Sequence, residues 1–201
     1  MIDIVDAGLG NLRSVANMVA HVGGTCRFVT TPDELASSEK ILLPGVGAFD
    51  AGMRTLRERH LEVPLKAAAA RGARILGICL GMQLLFEASD EGTEPGLSLI
   101  PGNVKRFDGT RLGLKVPHMG WNAVRPTRSS TLFPSQYEEQ RFYFVHSYYV
   151  ECASPEDVTA VAVYGIEFAC AVERGRVYGV QFHPEKSHRF GMNLLKLFSE
   201  L

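Results

Sequence analysis

The first half of the chain alternates segments that favour strands with segments that favour helices. Short apolar runs at residues 2–5 and 40–43 are typical of buried strands, and the stretches between such runs have helical spacing. One of these stretches covers about residues 11–21 and is closed by Gly23. This order predicts an α/β fold with a mostly parallel central sheet that carries helices on both faces.

The second half of the chain has a different pattern. Between Val104 and Gln181 lie several β-rich runs, including residues 141–150 and 158–164, with few helical signals among them. We therefore expect an antiparallel β extension of the sheet, followed by a terminal helix over about residues 187–201. No linker or repeat divides the 201 residues, of which 46% are hydrophobic, so one domain spanning 1–201 is the simplest expectation.

Charge and composition argue against several classes of protein. A formal net charge of -1 and a pI near 6.6 give no electrostatic reason to bind nucleic acid or an anionic membrane. The sequence contains no apolar stretch of membrane-spanning length and no signal-peptide pattern, so a cytoplasmic protein is expected. The four cysteines are scattered without a C-x-x-C pair, so we expect neither a metal site nor a disulfide framework, and no cofactor.

A nucleophile elbow is indicated by residues 77–81, Gly-Ile-Cys-Leu-Gly. Cys79 stands between two glycines, where an apolar strand gives way to residues with helical spacing. Such a turn strains its central residue and lets neighbouring backbone approach, so that the thiol projects into a cleft. The following helix would direct its dipole and free N–H groups at the sulfur and favour the thiolate. The alternative is a small buried hydrophobic residue, the usual role of a lone cysteine.

A base is available near the carboxyl end, in the sequence Gln-Phe-His-Pro-Glu at residues 181–185. The preceding residues alternate like a strand, and open α/β sheets place their chemistry at strand ends. Pro184 favours an extended His183, so His183 and Glu185 point to the same side. Glu185 can then orient the imidazole, which serves Cys79 as general base and general acid. A histidine before a proline is more often structural, but its pairing with the elbow favours the catalytic interpretation.

A third motif, Pro-Gly-Val-Gly at residues 44–47, directly follows an apolar strand. Acyl transfer needs N–H donors aimed at a developing oxyanion, and a glycine-rich loop after a strand can present them. Val46 and Gly47 are the candidates here, together with the N–H of Leu80 after the nucleophile. Most such tetrapeptides are only turns, and the position of this one at a strand end favours the oxyanion hole.

Together the three motifs resemble the class I, or triad, glutamine amidotransferases, and the resemblance covers essentially the whole chain. Further segments are similar to the glutaminase subunits of imidazole glycerol phosphate synthases, which serve histidine biosynthesis. These segments are Asp-Ala-Gly-Leu-Gly-Asn at 6–11, Pro-His-Met-Gly-Trp-Asn at 117–122, Tyr-Phe-Val-His-Ser-Tyr at 143–148 and Phe-His-Pro-Glu-Lys-Ser at 182–187. The fold implied by the resemblance is flavodoxin-like.

The resemblance implies a reaction and a substrate site. Cys79 would attack the side-chain amide of glutamine, His183 would protonate the departing ammonia, and water would release glutamate from a thioester. The implied substrate-binding residues are Gly45, Gln83, Glu91, Ser147 and Tyr148. Asp90 is an alternative to Glu91 as the partner of the substrate ammonium. Gln83 could instead be an exposed helix residue, and Ser147 and Tyr148 could be strand packing.

The resemblance also implies a partner. In the family, ammonia passes to a cyclase subunit of imidazole glycerol phosphate synthase, a TIM barrel, in a heterodimer. Trp121 offers an aromatic anchor of the kind found at interface centres, although it could be an ordinary core aromatic. The interface residues implied are Asn11, Pro117, His118, Met119, Trp121, Asn122, Tyr143 and Lys186. The loop at residues 45–47 is expected to be flexible, so that turnover stays low until the partner and its nucleotide bind.

Three other functions compete with this interpretation. A glutaminase of another synthase, such as pyridoxal phosphate synthase, would be expected to carry Pro-Gly-Gly-Glu-Ser where this chain has Pro-Gly-Val-Gly. A peptidase or amide hydrolase with the same triad would need no partner. A non-catalytic binding module would keep its function without the thiol of Cys79.

Overall fold

The computed structural model describes residues 1–8, 10, 12–134 and 140–201, and only the backbone of Leu112. In chain order, the strands are β1 (Ile2–Val5), β2 (Cys26–Val29), β3 (Lys40–Gly45), β4 (Arg74–Cys79), β5 (Ala88–Ser89), β6 (Gly102–Arg106), β7 (His118–Pro126), β8 (Gln140–His146), β9 (Tyr148–Cys152), β10 (Val158–Tyr164), β11 (Ile166–Arg174) and β12 (Val177–Val180). The helices are α1 (Leu12–His21), α2 (Pro32–Ala36), α3 (Phe49–Glu58), α4 (Glu62–Ala70), α5 (Leu80–Leu84), α6 (Gly109–Leu112) and α7 (His188–Glu200), and short 3-10 turns lie at Pro155–Asp157 and Pro184–Lys186.

Five parallel strands form one part of the sheet, in the order β2-β1-β3-β4-β12. Most of their side chains are buried: β1 is buried at every position, and Ile41, Leu42 and Leu43 of β3 are fully enclosed. Continuous burial of this kind requires cover on both faces of a parallel sheet. The α/β fold predicted from the alternating pattern is confirmed.

Helices on the two faces of this sheet build two hydrophobic clusters. On one face α1 packs against α7, and Val19 and Phe198 are fully buried there. On the other face α3 and α4 contribute Met53 and Leu65 to the second cluster. Full burial of one such side chain stabilises a fold by roughly 1.5–3 kcal/mol, so the paired clusters hold the parallel strands in place.

The rest of the sheet is antiparallel except for the parallel pair β5–β6, and it continues in the order β12-β11-β10-β7-β8. Strand β9 pairs with β11 and with β6, and β5 pairs with β6. The predicted antiparallel extension is therefore confirmed, although the run expected at residues 141–150 is two strands. The break falls at Ser147, whose carbonyl accepts the N–H of Phe107 at 3.1 Å, and it places the ends of β8 and β9 together.

The three sequence motifs meet at the carboxyl ends of the parallel strands. Gly45, the last residue of β3, pairs in register with Cys79, the last residue of β4. Val180 of β12 pairs with Ile78 on the other side, and His183 follows three residues after that strand. Within the described residues, no helix is long and apolar enough to cross a bilayer.

Candidate active site

Cys79 is the sharp corner between β4 and α5. It has φ 55° and ψ -112°, a backbone conformation that residues other than glycine seldom adopt. Strain of this kind persists only where the surrounding structure imposes it, and it is concentrated at functional sites. The residue is 7% exposed, so the sulfur is sheltered from bulk solvent. The elbow expected at Cys79 is thus present.

The glycines on either side allow this corner to pack against its neighbours. A side chain on Gly77 would collide with the backbone of Gly81, and one on Gly81 would collide with the carbonyl of Leu43 in the adjacent strand. Both contacts involve backbone, which has little room to move aside. The glycines at these two positions therefore bring the elbow close to β3.

The helix after the elbow is shorter than its spacing predicts. It ends at Leu84 because the segment 97–100 takes its carbonyl groups: Leu97 N–H binds the Leu84 carbonyl, and Leu99 N–H binds the Leu85 carbonyl at 2.8 Å. The five residues of α5 supply a smaller dipole than a long helix would.

His183 and Glu185 form the predicted pair. Imidazole Nδ1 lies 2.8 Å from Glu185 Oε1, and both side chains are almost fully buried. Because a carboxylate accepts hydrogen bonds, this contact places a proton on Nδ1. Within the described residues, His183 Nε2 and Glu185 Oε2 are buried without a hydrogen-bond partner. Nε2 is therefore available for proton transfer.

The neighbours of His183 decide its charge. Burial alone would lower the pKa of His183, but interactions with Cys79 and Glu185 outweigh burial and raise the pKa to about 9. An imidazolium is thus favoured at neutral pH between a sulfur and a carboxylate. This arrangement resembles the ion pairs that activate nucleophilic cysteines.

Gln83 and Gln181 connect the elbow to its surroundings. Gln83 Nε2 donates to the carbonyl of Tyr148 at 3.2 Å and to Gln181 Oε1 at 3.0 Å. Gln181 Nε2 in turn donates to Cys79 Sγ at 3.8 Å. Gln83 is buried, so its alternative placement on an exposed helix face is wrong. Sequence reasoning missed Gln181, although an amide in an apolar β run two residues before His183 could have indicated it.

A pocket of about 320 Å³ collects most of the predicted site residues. Its lining includes the thiol, the base, the oxyanion candidates and the residues expected to bind substrate. These residues are Val46, Gly47, Cys79, Leu80, Gln83, Glu91, Ser147, Tyr148 and His183, joined by Pro117, Val145 and His146.

The candidate oxyanion loop follows β3 directly beside the nucleophile. Gly47 has φ 105°, in the region that favours glycine, and an added side chain there would meet nothing within 4 Å. Val46 is exposed, and its side chain lies against Gly10. The loop therefore borders the pocket with open space around Gly47.

Of the two acidic candidates, Glu91 borders the pocket. Its Oε2 accepts the N–H of Phe49 at 2.7 Å, which fixes the carboxylate at the first turn of α3. Asp90 instead accepts from Lys105 Nζ and from the N–H of Arg106, both at 3.3 Å. Glu91 is thus the acid that a ligand in the pocket would meet.

Gly45, expected to bind substrate, lies where β3 packs against the elbow. It lies outside the pocket, and a side chain there would come within 3.0 Å of the Gly81 nitrogen and 3.1 Å of Leu80 Cβ. Its lack of a side chain serves the close packing of β3 against the elbow.

A partly apolar surface borders the pocket at Pro117. Met119 and Trp121 are 62% and 44% exposed, so Trp121 is not the core aromatic that was one alternative. The indole stacks on His188, with ring centroids 5.4 Å apart and planes 4° apart. We use the term docking face for Pro117, Met119, Trp121, Tyr143 and Lys186.

Tyr143 and Lys186 complete the docking face, since Lys186 Nζ lies 5.8 Å from the centre of the Tyr143 ring. Asn11, expected at the same junction, lies outside the described residues. His118 and Asn122, predicted at the same interface, lie on the other side of β7. Side chains alternate along β7, so these two point away from Met119 and Trp121, and His118 is only 4% exposed.

The other potentially reactive groups give no second site. Nowhere in the described ranges do three His, Cys, Asp or Glu side chains meet as a metal ion requires. All four cysteines are free thiols. Burial raises the pKa of Cys170 well above its ordinary value and the pKa of Cys152 to about 12, so neither favours a thiolate.

Comparison with known proteins shows the family of the chain. Residues 3–200 match the glutamine amidotransferase class-I family. The imidazole glycerol phosphate synthase subunit HisH of Bdellovibrio bacteriovorus is 50% identical over the full length of both chains, and subunit HisH 2 of Pseudomonas aeruginosa is 46% identical over the full length of both. The glutaminase domain of Trypanosoma brucei CTPS with bound acivicin has the same fold, with a TM-score of 0.69 at 19% identity over 99% of this chain and 93% of that one. The chain therefore belongs to the class I glutamine amidotransferases and, within them, to the glutaminase subunits of imidazole glycerol phosphate synthases.

Proposed function

We propose that residues 1–201 form one domain that hydrolyses L-glutamine to glutamate and ammonia through a thioester on Cys79. The observation that carries this proposal is the arrangement of Cys79, His183 and Glu185. The imidazole is bound to the carboxylate through Nδ1 at 2.8 Å, and it shares a pocket of about 320 Å³ with the thiol. Nucleophile, base and orienting carboxylate are the three parts that covalent acyl transfer needs.

The first step is attack of the Cys79 sulfur on the amide carbon of glutamine, with the thiol proton passing to His183 Nε2. As the C–S bond forms, the carbonyl electrons move to oxygen, and the negative oxygen needs N–H donors. Leu80 is the first residue of α5, so its N–H has no partner within that helix, and Val46 and Gly47 border the same pocket. Donors of this kind stabilise the tetrahedral intermediate more than the substrate.

The second step releases ammonia. His183 gives a proton to the amide nitrogen, the C–N bond breaks, and a thioester remains on Cys79. Neutral His183 then takes a proton from water, which attacks the thioester carbon, and the returned proton frees glutamate and the thiol. Glu185 stabilises the imidazolium each time it forms.

The substrate is oriented by its amino-acid end. Glu91 offers a negative partner for the ammonium of glutamine at the pocket wall, which Tyr148 also lines. Gln83 holds the Tyr148 carbonyl in place, and backbone around Ser147 can meet the substrate carboxylate. A volume of about 320 Å³ is at the small end for ligand pockets, which suits a single amino acid.

The ammonia goes to a cyclase subunit, a TIM barrel that forms a heterodimer with this chain. There it joins a phosphoribulosyl nucleotide to give imidazole glycerol phosphate and aminoimidazole carboxamide ribotide. The full-length relatives named as subunits of that synthase support this assignment. A protected transfer is needed because ammonia released into water at neutral pH becomes protonated and loses its nucleophilicity.

The docking face is the proposed contact with the cyclase. Trp121→Ala should weaken the complex by about 2 kcal/mol, roughly 30-fold in Kd, because exposed aromatics at interface centres dominate binding. Phe28→Ala is a matched control, since Phe28 on the distant edge strand β2 is also 44% exposed. Isothermal titration calorimetry of the cyclase subunit with each variant measures the effect. Equal affinities of the Trp121 and Phe28 variants for the subunit would show that the docking face is not the contact.

The decisive test of the function is glutamate release by the purified chain alone, with the cyclase subunit, and with the subunit plus its nucleotide acceptor. We expect low release alone and the highest release with both additions. Full activity of the isolated chain would indicate a partner-independent amide hydrolase, and no release under any condition would indicate a binding module.

A further inference from the structure

Two buried histidines connect the glutamine pocket, which His146 lines, with β7, the strand of the docking face to which His118 belongs. His118 of β7 and His146 of β8 are directly opposite each other in the antiparallel pair, and His118 Nδ1 lies 2.9 Å from His146 Nε2. His146 Nδ1 lies 2.8 Å from the carbonyl of Tyr148. At the other end, Asn122 Nδ2 lies 3.3 Å from His118 Nε2.

The contacts fix the tautomer of each ring. A carbonyl only accepts hydrogen bonds, so His146 must carry its proton on Nδ1 and accept at Nε2. His118 must then donate from Nδ1 and accept at Nε2, where the Asn122 amide donates. Every ring nitrogen of the pair has a partner in this arrangement, and each ring is neutral.

The surroundings also favour neutral rings. Burial lowers the pKa of His118 to about 4 and, more than the other influences on it, lowers the pKa of His146 to about 3. His118 is also packed between Phe144 and Tyr164, with ring centroids 4.9 and 4.1 Å away. Neither histidine takes part in the proposed chemistry, so their burial and their pairing call for another explanation.

The hydrogen bonds continue to the nucleophile. The Tyr148 carbonyl that accepts from His146 also accepts from Gln83, Gln83 binds Gln181, and Gln181 donates to Cys79 Sγ. The carbonyl receives donors from both sides, so the series is suited to holding groups in position and not to conducting a proton.

We propose that His118 and His146 are positioning residues that hold the Tyr148 carbonyl, and with it the pocket wall at Ser147 and Tyr148, and connect this wall to β7, the strand that carries Trp121. This inference rests on the proposed glutaminase function. Since His118 and Trp121 belong to the same strand, a displacement of β7 by a docked partner would reach the Tyr148 carbonyl through two hydrogen bonds.

The test compares His118→Phe with His118→Asn in the complex with the cyclase subunit. Phenylalanine keeps a ring in the aromatic stack and leaves His146 Nε2 without its donor, whereas asparagine retains a donor near the position of Nδ1. We expect His118→Phe to raise KM for glutamine about 3- to 10-fold with a smaller change in kcat, and His118→Asn to recover at least half of that loss. Tyr164→Phe is the matched control, because it alters the same stack outside the hydrogen-bonded series and should leave KM unchanged.

A second measurement is independent of catalysis. Long-range proton–nitrogen NMR spectra of the wild-type chain at pH 7 should show His118 and His146 as neutral rings protonated at Nδ1. If His118→Phe does not fold, Asn122→Ala removes the outer contact instead and should raise KM about 2- to 3-fold.

The outcomes separate the inference from the function. Unchanged KM in a folded His118→Phe complex, equal defects in the phenylalanine and asparagine variants, or Nε2-protonated rings would overturn the inference while Cys79-dependent release continued. Wild-type complex without Cys79-dependent glutamate release would overturn the proposed function, and the inference with it.

Discussion

His183 and the pair His118–His146 are buried to a similar degree, but their pKa values are shifted in opposite directions. The pKa of His183 is raised to about 9, while those of His118 and His146 are lowered to about 4 and about 3. Burial acts against the charged form of all three rings. The difference lies in their partners. His183 interacts with Cys79 and Glu185, whereas the ring nitrogens of the pair contact neutral groups, and the nearby charge of His183 lowers the pKa of His146 further.

One residue type therefore serves two roles in one small protein. A buried histidine with anionic neighbours can hold and release a proton during a reaction. A buried histidine with neutral neighbours keeps one tautomer and so fixes the direction of its hydrogen bonds. A change of the groups that contact a buried histidine should therefore shift its pKa more than a change in its burial does.

The largest expected effect follows from removing Cys79, the neighbour of His183 that carries the chemistry. Cys79→Ala should lower glutamate release by at least about 10⁴-fold, because no thioester can form. It should also lower the pKa of His183, since the interactions with Cys79 help to raise it. Initial rates and an NMR titration of His183 measure the two effects.

A thiol outside the pocket gives the control for this variant. Cys26 is half-buried, with its Sγ 3.9 Å from the carbonyl of Ala16, and Cys26→Ala should keep full activity. Substantial ammonia release by the Cys79 variant would eliminate the mechanism. An unchanged pKa of His183 would mean that the thiol does not influence the ring.

A smaller effect is expected when the carboxylate loses its charge and keeps its shape. Glu185→Gln should lower kcat about 10²- to 10³-fold, because the imidazolium loses its anionic partner. With the pKa of His183 raised to about 9, the protonated ring persists up to that pH and is lost above it. The variant should therefore shift the alkaline limb of the kcat/KM profile to lower pH.

The exposed Glu167, which pairs with Arg125 at 2.7 Å, provides a control with the same change in net charge. Glu167→Gln should leave both the rate and the pH profile as they are. An alkaline limb that stays in place in Glu185→Gln would show that this carboxylate does not set the titration of His183.

The smallest expected effect concerns stability in acid. The pKa values of His118 and His146 are lowered in the folded chain, so between about pH 6.5 and pH 4 the unfolded chain binds more protons and the free energy of unfolding falls as pH falls. His118→Phe removes one of these groups. Its loss of stability between pH 7 and pH 5 should be smaller than that of wild type by about 1–2 kcal/mol.

Urea unfolding at the two pH values measures this difference, and Tyr164→Phe, which keeps both histidines, should behave like wild type. An equal pH dependence in His118→Phe would mean that His118 is charged in the folded protein or is not buried against its neighbours in solution.

Much of the fold could be predicted from the sequence because its signals are local. The apolar runs of the parallel strands, the glycines around Cys79 and the extended residues around Pro184 each depend on neighbours within a few positions. The same holds for the contact between His183 and Glu185, which are two residues apart. Such features can be read from spacing alone.

The remaining features depend on which distant segments meet. His118 and His146 face each other because β7 pairs with β8 in one register, and nothing near either residue specifies that register. The length of α5 is set by segment 97–100, and the break at Ser147 by Phe107, both outside the local pattern. The place of His118 in segment 117–122 predicts an interface residue, but side chains alternate along a strand, so His118 lies on the buried side of β7.

Trp121 has a practical consequence. It is the one tryptophan in the sequence, and its indole lies half uncovered on the docking face against His188. Excitation at the long-wavelength edge of the protein absorption band is therefore absorbed almost entirely by the indole of Trp121. The wavelength and intensity of the tryptophan fluorescence therefore report on that part of the surface alone. The unlabelled protein thus carries an intrinsic fluorescent reporter of binding at Trp121.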